Sequence, residues 1–161
     1  VGWTIHRKRA WAALMSGAHY DYIDFSINIY LEAGTPESGR NIRTWMKHLS
    51  EFVHSLDLAR ARPLRGIVQS QPQHTCECTF GVENEDFCIY LADQREIGEP
   101  DAGKPIAGRV TALVPKGSYR VACYSPVTGV YSPAVTLSSA GALDLEVPSF
   151  VHDIAIRITK A

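Results

Sequence analysis

Between Gly17 and Ser26 the chain reads Gly-Ala-His-Tyr-Asp-Tyr-Ile-Asp-Phe-Ser, which puts two carboxylates, an imidazole, two phenols and a hydroxyl into ten positions. The run follows a helical pattern and reads as a strand. A strand buried between helices is ordinarily a plain Val/Ile/Leu run. Polar groups there cost free energy unless each finds a partner, so this segment is the first place to look for binding chemistry. Alternation places Tyr20, Tyr22, Asp24 and Ser26 on one face and His19, Asp21, Ile23 and Phe25 on the other. The structural alternative is that Asp21 or Asp24 pairs with Arg7, Arg9 or a backbone N–H, and that His19 is a satisfied structural residue.

Other candidate chemistry is weaker. Cys76-Glu77-Cys78 is not a zinc spacing, and no second Cys or His pair completes one. Cys76, Cys78 and Phe80 share one strand face, and all four cysteines (with Cys88 and Cys123) read first as buried thiols acting as small hydrophobes. A Cys88–Cys123 or Cys78–Cys123 bridge is the alternative, so the compartment stays open. Glu83, Glu85 and Asp86 form an acidic turn with calcium-type ligands, and Asp93, Glu96, Glu99 and Asp101 lie in a polar loop. A solvated turn and loop are the plainer readings. With no Gly-rich phosphate loop, no Ser nucleophile elbow and no Cys/His dyad, the sequence implies no cofactor and no metal.

The 161 residues allow one good-sized domain or two small ones, and 45% hydrophobic content suffices for a core. A net charge of −1 points away from nucleic acid and anionic membranes, and no apolar run approaches a membrane span. Charge is uneven. Residues 1–65 hold nine Lys/Arg against six Asp/Glu, and residues 66–161 hold seven against eleven. The shift coincides with a change from helical to strand-like patterning near Pro63.

The elements that must position the polar run follow from periodicity. Residues 5–16 read as a helix capped by Thr4, and Gly17 ends it. Arg7, Lys8 and Arg9 near its start oppose the helix dipole and call for acidic partners elsewhere. Thr35-Pro36-Glu37 starts a second helix running to about residue 56, with Ile42, Trp45, Leu49, Phe52, Val53 and Leu56 as an apolar stripe. His48 and His54 fall off that stripe and read as solvated. After Pro63, strands are expected at 66–70, 75–82, 87–92, 109–114, 118–124, 130–137, 142–147 and 151–159, separated by turn residues. That pattern predicts an antiparallel β-sandwich. Helix, strand, loop and helix form a βα rhythm, but one strand cannot make a parallel sheet. The first 60 residues therefore read as the end of a βα repeat whose earlier units lie outside the chain. The start at Val1-Gly2-Trp3, without Met, fits a fragment or a mature secreted chain, and the fragment is the expectation.

Two segments carry a family resemblance. Arg9-Ala10-Trp11-Ala12-Ala13-Leu14-Met15-Ser16-Gly17-Ala18 before a polar strand resembles the last βα unit of cellulase-type (β/α)8-barrel glycoside hydrolases. These often carry a C-terminal sandwich described as collagen-binding-like, and the second half of the chain is similar to it. Val114-Pro115-Lys116-Gly117-Ser118-Tyr119 resembles its "LP.G.Y" turn, and Tyr124-Ser125-Pro126-Val127-Thr128-Gly129 its "W.DP.TG" turn, with Tyr for Trp and Ser for Asp. Phe87-Cys88-Ile89-Tyr90-Leu91-Ala92-Asp93 resembles the preceding "yvvYl.dG" strand.

The resemblance implies an α+β chain: the terminal βα unit of a (β/α)8 barrel in residues 1–62, followed by an antiparallel β-sandwich accessory domain in residues 63–161. In such barrels the active site lies at the C-terminal ends of the strands, and the catalytic carboxylates sit on earlier strands. No catalytic residue is therefore expected in this chain. Tyr22, Asp24, His19 and Asp21 are expected to line a carbohydrate pocket, because sugar sites pair aromatic faces with carboxylates that accept hydroxyl hydrogen bonds. Asp21 and Asp24 point to opposite strand faces, whereas a retaining pair converges to roughly 5 Å, so they are not expected to act as acid and base.

The expected function is the C-terminal portion of a glycoside hydrolase acting on a carbohydrate substrate, completed by a missing N-terminal barrel portion or a partner chain. The alternatives are a non-catalytic carbohydrate- or protein-binding module, with Tyr124 and Tyr131 as its exposed aromatics, and a purely structural appendage. A bare apolar stripe on the second helix would favour homo-oligomers.

Overall fold

A computed structural model describes residues 4–21, 36–95 and 99–161, with residues 36–38 as backbone alone. Helix α1 spans Thr4–Met15 and α2 spans Pro36–His54. The strands follow as β1 (Arg62–Leu64), β2 (Val68–Ser70), β3 (Thr75–Val82), β4 (Asp86–Asp93), β5 (Ile106–Leu113), β6 (Gly117–Ser125), β7 (Val130–Tyr131), β8 (Val135–Ser139), β9 (Ala142–Phe150) and β10 (Asp153–Lys160). All ladders among the described residues are antiparallel. The larger sheet runs β1-β3-β4-β10-β6, and the free edge of β6 is shared by β7 and β8 along successive lengths. The smaller sheet runs β2-β5-β9.

The two sheets form the expected sandwich. Phe87, Ile89 and Leu91 of β4 and Ile154, Ile156 and Ile158 of β10 face Val110, Ala112, Leu143, Leu145 and Val147 of the smaller sheet. The alternate residues of β4 explain its unbroken burial. Cys88, Tyr90 and Ala92 face the other way, into a second core with Ala10, Trp11 and Met15 of α1 and Leu49 and Phe52 of α2. The molecule is thus three layers deep: helices, larger sheet, smaller sheet. The apolar stripe of α2 is covered by the larger sheet, which corrects the expectation of a bare stripe. Ile42, Leu49, Phe52 and Leu56 are buried, and Trp45 is half-buried beneath the Arg7 guanidinium, 4.4 Å from the ring centroid.

The aromatic side chains lock the helices on. Trp11 stacks on Tyr90 at 5.3 Å, while Phe52 lies 4.9 Å from both Trp11 and Tyr124. Tyr124 is buried and donates its hydroxyl to the His48 carbonyl at 3.1 Å, which corrects its assignment as an exposed binding aromatic. His48 is likewise no free surface residue, since its Nδ1 lies 3.2 Å from the Pro126 carbonyl. His54 is exposed as expected.

Several strand expectations shift. The single strand at 130–137 is two short ones, because Pro133 has no N–H for a ladder. Strand β1 is an addition, a three-residue edge strand around Pro63 paired with β3. Residues 18–21 of the polar run are irregular rather than strand. All four cysteines are free thiols; Cys88 is fully buried, but Cys76 is exposed, against the buried reading.

Candidate functional site

The polar run begins where α1 must stop. Gly17 has a φ of 77°, and the Ala18 N–H donates to the Ala13 carbonyl while the Gly17 N–H donates to that of Leu14. This is a Schellman-type end, in which glycine takes the left-handed position. A Cβ here would also lie 2.7 Å from Pro63 Cγ, so the same glycine lets the turn close on β1.

Beyond it, His19 and Asp21 are exposed, and Tyr20 is half-buried with its hydroxyl 3.2 Å from His6 Nδ1. His19 and Asp21 make no hydrogen bond or ion pair with other described residues. Tyr22 and Asp24 lie outside the described residues, so the pairing expected of Tyr22, Asp24, His19 and Asp21 is not assembled in what the structure describes. The accessible polar groups at this end can accept and donate hydrogen bonds to a polyhydroxylated ligand.

The partner sought for the basic start of α1 is on β10. Arg7 Nε donates to both Asp153 carboxylate oxygens at 3.1 and 2.9 Å, and Nη2 donates to Oδ1 at 2.6 Å. Tyr90 adds its hydroxyl to Oδ2 at 3.0 Å. Arg7, Tyr90 and Asp153 are all buried. Burial, followed by the neighbouring Asp153 charge, pushes the Tyr90 phenol well above its ordinary value. A carboxylate saturated by three donors and shut from solvent has no free lone pair for proton transfer, so the cluster joins layers rather than performing chemistry. Nothing in the sequence alone marked Asp153 as the partner, because 146 positions separate it from Arg7.

The acidic turn is consumed by ion pairs: Glu83 with Arg62 at 2.9 Å, Glu85 with Arg60 at 2.7 Å, and Asp86 with Arg157 at 2.6 Å. No cluster of three potential metal ligands occurs among the described residues. In the polar loop, Asp93 holds Arg95 bidentately at 2.8 Å on each arm. Burial raises the thiols of Cys88 and Cys123, which keeps them protonated. Cys76, whose residue is exposed, is raised by the partial desolvation of its thiol on the sheet and then by neighbouring Cys78.

One groove of about 380 Å³ lies on the outer face of the larger sheet, beside the C-terminal end of α2. Its walls include Ser55, Arg120, Tyr131, Ser132, Arg157 and Thr159, over the small side chain of Ala122. Arg157 is fully engaged: two bonds to Asp86 at 2.8 and 2.6 Å, one each to the Ser55 hydroxyl and carbonyl at 2.5 and 2.9 Å, and one to the Tyr131 hydroxyl at 3.4 Å. Arg120 has no hydrogen-bond or ion-pair partner among the described residues. Sequence reading named Tyr131 but passed over Arg120, whose place on the outward face of β6 was visible in the Tyr119/Val121/Cys123 alternation.

No family model matches the chain, and no curated protein matches it. Solved structures do. A chain described as a glycoside hydrolase superposes with a TM-score of 0.58 at 13% identity, over 99% of this chain and 37% of its own. A glycoside hydrolase family 5 protein from Bacteroides vulgatus gives 0.61 at 14% identity, over 99% of this chain and 36% of its own. The fold is shared. At such identities the likeness concerns fold alone, and the chain spans little more than a third of these neighbours.

Proposed function

We propose that this chain is the C-terminal portion of a glycoside hydrolase-like protein acting on a carbohydrate. Residues 1–62 form the last helix-strand-helix segment of a (β/α)8 barrel, and residues 63–161 form a sandwich docked against it. The main catalytic carboxylates lie outside this chain. Tyr22 and Asp24, with His19 and Asp21, line the wall of the sugar pocket. The observation that supports this reading is the fold likeness to glycoside hydrolase chains across 99% of the residues but only 36–37% of theirs.

The first experiment is the intact mass and chain content of the native particle. A longer polypeptide, or a co-purifying chain with two facing carboxylates, supports the proposal. A stable 17.8 kDa monomer with no glycan affinity overturns it. In the parent enzyme, Tyr22→Ala and Asp24→Asn should raise KM more than they lower kcat, the signature of lost ground-state contacts. Unchanged kinetics in both variants would remove them from the pocket wall.

A purely structural accessory is the second reading. It is favoured by the burial of Tyr124 and by the covering of the larger sheet's outer face with helices. Full hydrolytic activity in a barrel lacking the sandwich would argue against it.

A further inference from the structure

The groove beside α2 brings together an aromatic ring, a guanidinium and several hydroxyls. Tyr131 is 39% exposed although it sits on the aromatic cluster, 4.8 Å from Tyr124 and 6.2 Å from Phe52 by ring centroid. Its hydroxyl is within 3.4 Å of Arg157 Nη1, which fixes the ring. A fixed, half-exposed ring offers apolar area at low entropic cost.

Arg120, by contrast, brings a cation with no counter-charge among the described residues. It lies opposite Thr159 across the β6–β10 ladder, two residue pairs from Ala122–Arg157 and so on the same sheet face. Cross-strand and diagonal neighbours on one sheet face are within reach of long side chains. The other guanidinium, Arg157, is neutralised by Asp86. Among the described residues Arg120 is thus the charge without a partner in a recess lined also by Ala122, Thr159 and the internally bonded hydroxyls of Ser55 and Ser132. Arginine presents a planar fork that matches a carboxylate bidentately.

We propose that this groove binds a carboxylate-bearing sugar unit. The pyranose C–H face lies on Tyr131, and the carboxylate is held by Arg120. The site is separate from the His19/Asp21 end and shares no residue with it, but the choice of a sugar rather than another carboxylate rests on the carbohydrate reading above.

The test is an NMR titration of the isotopically labelled chain with trigalacturonate, with neutral cellotriose and inorganic sulfate as comparison probes. Trigalacturonate should move the amides of Ala122, Tyr131, Ser132 and Thr159. Arg120→Met should weaken this binding about tenfold, the loss expected for a charge-assisted bond. Arg120→Lys should fall between, since it keeps the charge but loses the fork. Tyr131→Phe should retain binding, and Tyr131→Ala should lose it, with unchanged spectra elsewhere reporting an intact fold.

The proposal is overturned if trigalacturonate leaves those amides still, if Arg120→Met binds as tightly as the wild type, or if sulfate or cellotriose alone reproduces the same shifts and affinity. If the groove fails while the parent enzyme still hydrolyses its glycan, only this inference falls. If the groove binds while the parent shows no hydrolysis, the hydrolase reading falls and the groove stands.

Discussion

Arg7 and Asp153 hold each other in a place that neither could occupy alone. A buried ion pair is weak evidence of net stabilisation, but removing one member leaves the other as an unpaired buried charge. Asp153→Ala should therefore cost about 3–5 kcal/mol in urea unfolding. Tyr90→Phe, which removes one donor to a charged acceptor, should cost about 1.5–3 kcal/mol. Two further groups set the acid response. Burial pushes the Asp93 carboxyl up, but the hydrogen bonds and charge of Arg95 outweigh it and hold the group below its ordinary 3.8. Its contribution is present above that value and is lost as pH falls through the folded one. His152 is held below its ordinary 6.5, first by burial and then by the charge of Arg7. The unfolded chain takes up that proton first, so this contribution fades as pH falls below 6.5. Stability should thus decline on acidification in two stages. His152→Asn should flatten the upper stage and Asp93→Asn the lower, as read from unfolding midpoints between pH 3 and 7; asparagine also tolerates the left-handed backbone at 152, where φ is 75°.

At the scale of elements, the joint between α2 and the β6–β7 turn depends on a missing side chain. Gly129 has a φ of 70°, and a Cβ there would fall 2.5 Å from the His48 ring. Gly129→Ala should destabilise by more than about 1 kcal/mol and displace His48 from the Pro126 carbonyl. Retention of the wild-type His48 ring chemical shifts in that variant would show that the joint does not depend on a bare position at 129. How far such features can be read from sequence differs by element. The core strands were legible: the apolar run at 87–92 and the alternating isoleucines at 154, 156 and 158 fix β4 and β10. So was α2, through its stripe and its Thr35-Pro36-Glu37 start. The third layer was not. The alternate face of β4 carries Cys88, Tyr90 and Ala92, types that fit a half-exposed strand as well as one packed beneath helices. The pairing of a helix with a strand 146 positions away leaves no local trace. Tyr124 was misread for the same reason, because its place in the turn was visible but the helix lying over it was not. The candidate site was legible only as a concentration of polar residues, since alternation assigns faces but not neighbours.

At the scale of the molecule, the helices and the larger sheet share one core, so they should unfold together. The sequence supplies a reporter for each: all three tryptophans precede residue 46, and all four cysteines lie between 76 and 123. Tryptophan fluorescence and Cys88 thiol accessibility should give coincident denaturation midpoints, and Phe52→Ala should shift both together, with a loss of about 3–5 kcal/mol in unfolding free energy. Separated midpoints would show two independent units. The same layering bears on synthesis. Strand β10 fills the slot between β4 and β6 and carries the counter-charge for Arg7. At ribosomal rates of 5–20 residues per second, the 146 positions between Arg7 and Asp153 take roughly 7–30 s to make. Through that interval α1 and α2 have emerged with their apolar faces uncovered and β4 lacks its neighbour. The nascent chain therefore keeps apolar surface open to water until one late strand slides home.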